Sequence, residues 1–320
     1  MDSPRLSGAV CLRVAVLCQG TVLQPALAAL HSQGLLAGLG VPDRLPEIHL
    51  PMEQAARQAG IPFARIKANG LEEQLTRWLE ESNPDVVCTM GFPHKIPGSV
   101  LEQPRLGFFN FHGGALPGYR GPDPVFWQIR NQEPVGAITI HRLNSELDTG
   151  DISIAEAVPI GPEETYGLHF QRLGAVLPRL VIELVQQLAI HGDRLPLSEQ
   201  PAAAARYWKR PAEADLTVDW KSSAAAIQAL VRACNPVYAG AMTLMKGVPV
   251  RLLQVTGGIP DESKKITPGT IVEAGADRGI LVACGQGQTL FLDIVYAQDG
   301  FFTGQQLVRI FGPGAGEQMG

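Results

Sequence analysis

The first 91 residues alternate between short apolar runs and segments with helical spacing. Three runs have the length and composition of buried strands: LRVAVLC at 12–18, IPFARIK at 61–67 and DVVCTMG at 85–91. Amphipathic helices are predicted beside them, at residues 22–34, 52–60 and 71–83. The Pro-rich stretch at 41–51 is predicted to be irregular. Strands that alternate with helices in this way predict a doubly wound, mostly parallel sheet.

The same sheet is predicted to continue to about residue 160. Further strands are predicted at residues 106–112, 136–143 and 152–160, with a short helix at 122–132. A long helix is predicted at 165–189, kinked or interrupted at Pro178. Residues 190–206 are then rich in Pro and Ala and show no core pattern, which indicates a linker.

We therefore expect a first domain at residues 1–192, a linker at 193–206 and a second domain at 207–320. The second domain begins with a helix for which Ser222 or Ser223 is a suitable N-cap. Short strands follow it, at residues 240–247, 248–255, 269–275, 279–285 and 288–295. Strands of this length and spacing predict a small β-barrel or sandwich.

Charge and cysteine content narrow the classes of function. The 320-residue chain has a formal net charge of −5, which argues against a basic surface for nucleic acid. Its five cysteines show no CxxC pair and no zinc spacing with His, so we expect reduced thiols, a cytoplasmic location and no metal. No apolar run approaches the roughly 20 residues of a membrane span, so no membrane partner is expected. The apolar run near the N-terminus is interpreted as a strand, not as a signal peptide.

The residues best suited to chemistry lie between 110 and 151. Asn110 and His112 alternate on one predicted strand, so their side chains share a face near its C-terminal end, where open α/β sheets bind ligands. Asp148 lies in a Gly-containing loop after the next strand. An amide and a protonated imidazole can stabilise the oxyanion formed when an amine attacks a carbonyl, and a carboxylate favours the imidazolium. Taken singly, each residue could equally be a cap, a turn former or a core residue.

This segment resembles the signature of the formyltetrahydrofolate-dependent formyltransferases. Their pattern is Asn-x-His, then Leu-Pro-x-Tyr-Arg-Gly, then Asp-Thr-Gly-Asp, and this chain has NFH at 110–112, LPGYRG at 116–121 and LDTGD at 147–151. The resemblance implies that Asn110, His112 and Asp148 are catalytic and that 10-formyltetrahydrofolate is the co-substrate, without a metal. His141 matches a His common in parts of the family and is interpreted as a supporting or structural residue.

The family's folate pocket also has candidates here. Residues 86–97, VVCTMGFPHKIP, resemble the segment that holds the pterin. The resemblance implies folate contacts from Met90, Gly91, Phe92 and Ile96, with the Asn144–Asp148 loop, which includes Leu147, closing over the ring. Plain packing is an equally good interpretation of Phe92 and Ile96.

The second domain resembles that of the methionyl-tRNA formyltransferases, which implies an OB-like barrel. The resemblance lies in VDW at 218–220, NP at 235–236 and TPGTIV at 267–272. Other features depart from those enzymes, which carry a basic insertion after the first helix, whereas residues 36–54 here contain one Arg and no basic run. The usual Gly-Thr-Pro of the first turn is absent, and GALP replaces Ser-Leu-Leu-Pro. From Tyr207 onward, basic and acidic residues number ten each, so the second domain lacks the net positive charge that holding tRNA requires.

We therefore expect formyl transfer to a small-molecule, amino-sugar or carrier-tethered amine. Methionyl-tRNA is an alternative acceptor and is less favoured. A hydrolase that releases formate from the same co-substrate is a further alternative, and the complete Asn, His and Asp set argues against a non-catalytic folate-binding protein. The barrel is expected to cap the first domain, shape the acceptor site or form a homodimer.

Overall fold

The computed structural model describes residues 11–20, 23–44, 46–257 and 266–320. Thr21 and Val22 of the first turn lie outside the described residues. The chain divides into two compact units, each assembled from three segments. Unit 1 contains Met1–Pro122, Ala137–Val158 and Gln171–Trp208, and unit 2 contains Asp123–Gly136, Pro159–Phe170 and Lys209–Gly320. The contiguous boundaries expected from the sequence stay a prediction.

A seven-stranded sheet carries the candidate residues. Its strands are β1 Val14–Cys18, β2 Leu36–Pro42, β3 Phe63–Ile66, β4 Val86–Met90, β5 Phe108–His112, β6 Val135–Arg142 and β7 Ile152–Pro159. Their spatial order is β3-β2-β1-β4-β5-β6-β7. The first five strands pair in parallel, and β6 is antiparallel to β5. The helices of this half of the chain are α1 Gln24–Ser32, α2 Pro46–Ala59, α3 Leu71–Ser82, α4 Gly98–Leu101, α5 Pro124–Arg130 and α6 Tyr166–His191.

Close packing of α3 against the sheet requires glycine in β2. A Cβ on Gly38 would lie 2.6 Å from the Ser82 Cβ, and one on Gly40 would lie 2.5 Å from a methyl carbon of Leu17. The indole of Trp78 fills the space over Gly40 and is 1% exposed. The small residues of β2 thus allow a large aromatic side chain to enter the core.

The prediction that residues 41–51 are irregular is wrong. Val41 and Pro42 end β2, and α2 begins at Pro46. Two glycines hide the strand pattern of β2, although its position between β1 and β3 buries it. Proline is compatible with the first turn of a helix, so Pro46 does not oppose α2, and Pro51 is accommodated within it.

Helix α6 continues through Pro178, so the predicted interruption is not found, and a kink at this residue stays a prediction. The segment Tyr166–Arg194 is also long and apolar enough, with a mean hydropathy of 1.5, to cross a membrane. From the sequence, no apolar run of this length was expected. Residues Leu180, Val181 and Leu184 of this segment are fully buried in unit 1, and 44% of its apolar 18-residue window is buried. A core helix passes the same test of length and hydropathy. Length and hydropathy are therefore weak evidence for a membrane span here.

Unit 2 contains an antiparallel sheet. Its strands are β8 Ala241–Met245, β9 Val248–Gly257, β10 Ile271–Gly275, β11 Gly279–Ala283, β12 Thr289–Ala297 and β13 Gly300–Thr303, and its further helices are α7 Glu213–Leu216, α8 Ala224–Cys234 and α9 Gly304–Phe311. The strand order is β10-β11-β12-β9-β8, with β13 beside β12. Ser223 caps α8 through the Ala226 amide, as expected, whereas β13 and α9 were not predicted.

Residues near the C-terminus cover both edges of this sheet. Gln318 pairs with Thr270 next to β10, and Met319 pairs with Met245 at the end of β8. Edge strands with unpaired amides are thereby protected, as in a small barrel. The predicted fold class, a mostly parallel α/β sheet followed by a small β domain, is confirmed.

Candidate active site

Strand β5 places two of the candidate residues on one face. It lies between β4 and β6, with Asn110 opposite His141 and His112 opposite Thr139 in the antiparallel register. The two-residue period of the strand sends Asn110 and His112 to the same side near its C-terminal end, as predicted from their spacing.

The Asn110 amide is oriented by two neighbours. Thr89 Oγ1 at the end of β4 donates to Asn110 Oδ1 at 2.9 Å. Asn110 Nδ2 donates to His141 Nε2 at 3.2 Å, while His141 Nδ1 contacts the Arg142 carbonyl at 3.2 Å. Because the Thr89 hydroxyl donates to one end of the Asn110 amide and His141 accepts from the other, the N–H groups of the amide lie on the His141 side. His141 thus supports Asn110, and the contact of Thr89 with Asn110 was not predicted from the sequence.

The imidazole of His112 is buried between two oxygen atoms. Its Nε2 donates to the Tyr119 carbonyl at 2.7 Å, and its Nδ1 lies 3.6 Å from Asp148 Oδ1. Burial lowers the pKa of His112 below 6.5, and this outweighs the opposing effects of Asp148 and of the Tyr119 hydrogen bond. A neutral imidazole at pH 7 differs from the protonated one expected from the sequence, because desolvation of the cation exceeds the attraction of the carboxylate.

Asp148 is brought to this face in a left-handed backbone conformation, with φ of 57°. Its Oδ2 accepts from the Gly121 amide at 2.9 Å, and its Oδ1 lies 3.7 Å from His141 Nε2. Burial alone would raise the pKa of Asp148, but the two histidines and the Gly121 amide together lower it below 3.8. The carboxylate is therefore ionised at neutral pH. Gly121 belongs to the LPGYRG segment, which explains how that segment serves the site.

A small cavity adjoins these groups. Its volume is about 80 Å³, and it is lined by residues of unit 1 that include Thr89, Phe92, Ile96, Asn110, Leu143, Asn144, Leu147 and Asp148. Four of the six predicted folate contacts thus line the cavity. Met90 and Gly91 are not among its lining residues: Met90 is buried at the end of β4, and Gly91 follows it with φ of 70°. Ligand pockets usually measure about 300–1,000 Å³, so this cavity by itself is smaller than a typical ligand pocket.

The loop beside this cavity begins at Asn144, and the side chain of Asn144 holds it by hydrogen bonds. Asn144 Oδ1 accepts from the Glu146 amide and from Thr149 Oγ1, both at 2.9 Å. Leu147 at its tip is 50% exposed. Lys95, Glu146 and Leu147 also line a larger neighbouring cavity of about 510 Å³, together with Arg120, Thr149, Ala205, Arg206 and Tyr207. The two cavities therefore lie on either side of the residues that they share.

A polar face at the C-terminal ends of parallel strands, bearing an amide, an imidazole and a carboxylate, defines a site suited to acyl transfer. Residues 12–185 match the formyl transferase family, and residues 212–309 match the formyl transferase C-terminal domain. The methionyl-tRNA formyltransferase of Ralstonia nicotianae is 34% identical over 291 residues, covering 86% of this chain and 88% of that protein. The chain therefore belongs to the formyl transferase family, enzymes that take the formyl group from formyl-tetrahydrofolate.

Two solved structures share the fold. HypX from Aquifex aeolicus, in complex with tetrahydrofolic acid, aligns over 97% of this chain and 49% of its own with a TM-score of 0.64 and 17% identity. An N-formyltransferase from Helicobacter canadensis, in complex with folinic acid and dTDP-3-aminofucose, aligns over 88% of this chain and 98% of its own with a TM-score of 0.65 and 14% identity. At these identities the likeness concerns the fold.

Proposed function

We propose that this enzyme transfers the formyl group of 10-formyltetrahydrofolate to a primary amine, using Asn110, His112 and Asp148. The proposal rests on the proximity of these three side chains at one face of the sheet. Asn110 and Asp148 line one cavity, and Asp148 lies 3.6 Å from His112. Phe92, Ile96, Asn144 and Leu147 line the same cavity and are proposed to contact the folate. Met90 and Gly91 are proposed to shape the adjoining backbone.

In the proposed reaction, the amine nitrogen bonds to the formyl carbon while the carbonyl π pair moves to oxygen. Asn110 Nδ2 has two hydrogens; it donates one to His141, and the other is suited to the oxyanion. The amine proton passes to the neutral His112, whose imidazolium is then stabilised by Asp148. Collapse breaks the bond from the formyl carbon to N10, and N10 takes the proton, which yields tetrahydrofolate and the formylated amine.

We further propose that the acceptor is an amino sugar, another small-molecule amine or a carrier-tethered amine. The support comes from the segment in which the tRNA-acting enzymes carry their basic insertion. Here β2 ends at Pro42 and α2 begins at Pro46, so the connection is short. Its one basic residue, Arg44, donates to Gln19 Oε1. The equal numbers of basic and acidic residues after Tyr207 support the same conclusion.

Methionyl-tRNA is the second candidate acceptor. It is favoured by the curated relatives, because the proteins from Ralstonia nicotianae and Ralstonia pickettii, 34% and 32% identical, are both named methionyl-tRNA formyltransferases. We expect either reaction to occur in the cytoplasm, which agrees with five free cysteines, four of them buried.

An acceptor screen tests the proposal. Purified enzyme is incubated with 10-formyltetrahydrofolate and either initiator methionyl-tRNA, nucleotide-linked amino sugars, amino-acid derivatives or an aminoacylated carrier protein. Tetrahydrofolate release and the mass of each acceptor are measured. We expect formylation of a non-tRNA amine, at a much lower but measurable rate in Asp148→Asn. Formylation of tRNA alone would overturn the acceptor assignment, and acceptor-independent formate release at the full rate would identify a hydrolase.

A further inference from the structure

Gln200 is buried beside the site although it lies in the segment predicted to be a linker. It follows α6 and is 9% exposed. The neighbouring Ser198 pairs with Ile152 at the start of β7, with both backbone hydrogen bonds at 2.8 Å. The segment around Gln200 thus packs against the sheet of unit 1, and no local pattern in the sequence indicates this.

Every polar group of the Gln200 side chain is used. Its Nε2 donates to the carbonyls of Asp148 at 3.0 Å and Gly150 at 2.7 Å. Its Oε1 accepts from Arg120 Nε at 3.0 Å and from Nη2 at 2.7 Å. A primary amide offers two donors and two acceptor positions, so this arrangement satisfies it completely. Gln200 therefore joins the loop that carries Asp148 to the segment that carries Arg120.

The same two segments hold the Asp148 side chain. The amide of Gly121, next to Arg120, donates to Asp148 Oδ2 at 2.9 Å. Gln200 thus restrains the backbone of Asp148, and the segment that contains Arg120 and Gly121 restrains its carboxylate. The left-handed backbone of Asp148 is unfavourable for a residue with a Cβ and persists only where surrounding contacts impose it. Both contacts of Gln200 with the loop lie within two residues of this strained position.

We propose that Gln200 is a positioning residue for formyl transfer, acting through Asp148 by holding its backbone in the orientation that directs the carboxylate to His112. The inference rests on the proposed function of that pair. Arg120 is the partner that orients the Gln200 amide, so that its N–H groups face the loop. A misplacement of a catalytic group by about 1 Å is enough to reduce turnover by about 100-fold.

The test uses Gln200→Glu, which keeps the length of the side chain and the acceptor for Arg120 but replaces the donor with an oxygen facing two carbonyls. We expect kcat to fall by about 10- to 100-fold. In Gln200→Met, which adds no charge, the acid limb of the kcat/KM profile should also move to lower pH, because Asp148 is less well placed to favour the His112 cation. Glu199→Gln, on the exposed neighbouring residue, is the matched control and should keep wild-type turnover.

A double-mutant cycle separates positioning from general destabilisation. If Gln200 acts through Asp148, adding Gln200→Glu to Asp148→Asn should lower kcat by less than about threefold further. The inference would be overturned if the two substitutions lowered kcat by factors that multiply in the double variant, or if Gln200→Glu kept the wild-type kcat. If Gln200→Glu does not fold, as judged by circular dichroism, Gln200→Met supplies the same cycle. Absence of formyl transfer in the wild type would instead refute the proposed function, so the two failures are distinguishable.

Discussion

At the residue scale, His112 has one nitrogen that can gain a proton. Its Nε2–H is held by the Tyr119 carbonyl, and its Nδ1 faces Asp148. Because burial keeps the imidazole neutral near pH 7, His112 enters the proposed reaction as a proton acceptor. Once protonated, it is flanked by oxygen on both sides. The Asp148 carboxylate and the Tyr119 carbonyl therefore offset part of the cost of burying the imidazolium.

Replacing His112 by Ala tests its role. We expect kcat to fall by about 10²- to 10⁴-fold, because the proton acceptor is lost. The affinity for a non-transferable folate analogue should change little, since His112 is not among the residues that line the small cavity. Steady-state transfer assays and fluorescence titration measure the two effects. His191→Ala, at the exposed end of α6, is the control, and near-normal turnover of the His112 variant would remove this residue from the mechanism.

The pH dependence tests the His112–Asp148 pair. We expect kcat/KM to fall as the pH drops through the lowered pKa of His112, so the midpoint of the acid limb should lie below 6.5. Asp148→Asn removes a charge that raises this pKa, so its limb should move to still lower pH and its plateau should fall. The profile is recorded with two acceptor amines of different pKa. If the midpoint of the acid limb is the same for both, the limb does not report titration of the amine. A limb that moves to higher pH in the variant contradicts the pairing.

At the scale of elements, the site depends on the register of β5 against β6. A slip of one residue would send Asn110 and His112 to the opposite face and away from His141. The loop after β6 returns to this face because Gly150 lies directly against the Arg142 carbonyl. Gln200 and the Gly121 amide then hold Asp148 from two sides. The site is therefore assembled from strands, loops and a distant chain segment together.

Gly150→Ala tests the path of this loop. A Cβ at Gly150 would lie 1.7 Å from the Arg142 carbonyl oxygen, so the loop must shift. We expect kcat to fall by about tenfold or more and the free energy of unfolding to fall by about 1–3 kcal/mol. Transfer assays and denaturant unfolding provide the measurements. Gly98→Ala, at the start of α4, is the control, because its added Cβ would have no neighbour within 4 Å and neither quantity should change.

At the scale of the whole molecule, charge bears on the choice of acceptor. The formal net charge is −5, and the part of the chain after Tyr207 carries no net charge. Binding to nucleic acid depends on phosphate neutralisation and weakens steeply as salt increases. A tRNA-binding enzyme of this composition would need a local basic surface that the sequence does not indicate.

Titration with initiator methionyl-tRNA tests this conclusion. We expect a Kd no tighter than about 10 µM at 150 mM salt, the range of non-specific binding. Filter binding at several salt concentrations would measure the affinity and its salt dependence, with uncharged elongator tRNA as the control. Sub-micromolar binding specific to the initiator tRNA would favour the methionyl-tRNA alternative.

Several features of the fold and site follow from local patterns. The alternation of strands and helices predicted the doubly wound sheet, and the period of two placed Asn110 and His112 on one face. By contrast, β2 was missed because its glycines serve long-range packing under Trp78 rather than a local pattern. The segment around Gln200 was interpreted as a linker because its contacts are with residues about 50 and 80 positions away.

The sequence by itself determined the fold class and the chemical groups available for formyl transfer, because strand and helix periods and residue types are local properties. Tertiary structure decided the protonation of His112, the approach of Asp148 and the place of Gln200. Each depends on which distant groups exclude water from a side chain or bond to it, and that information exists only once the chain has folded.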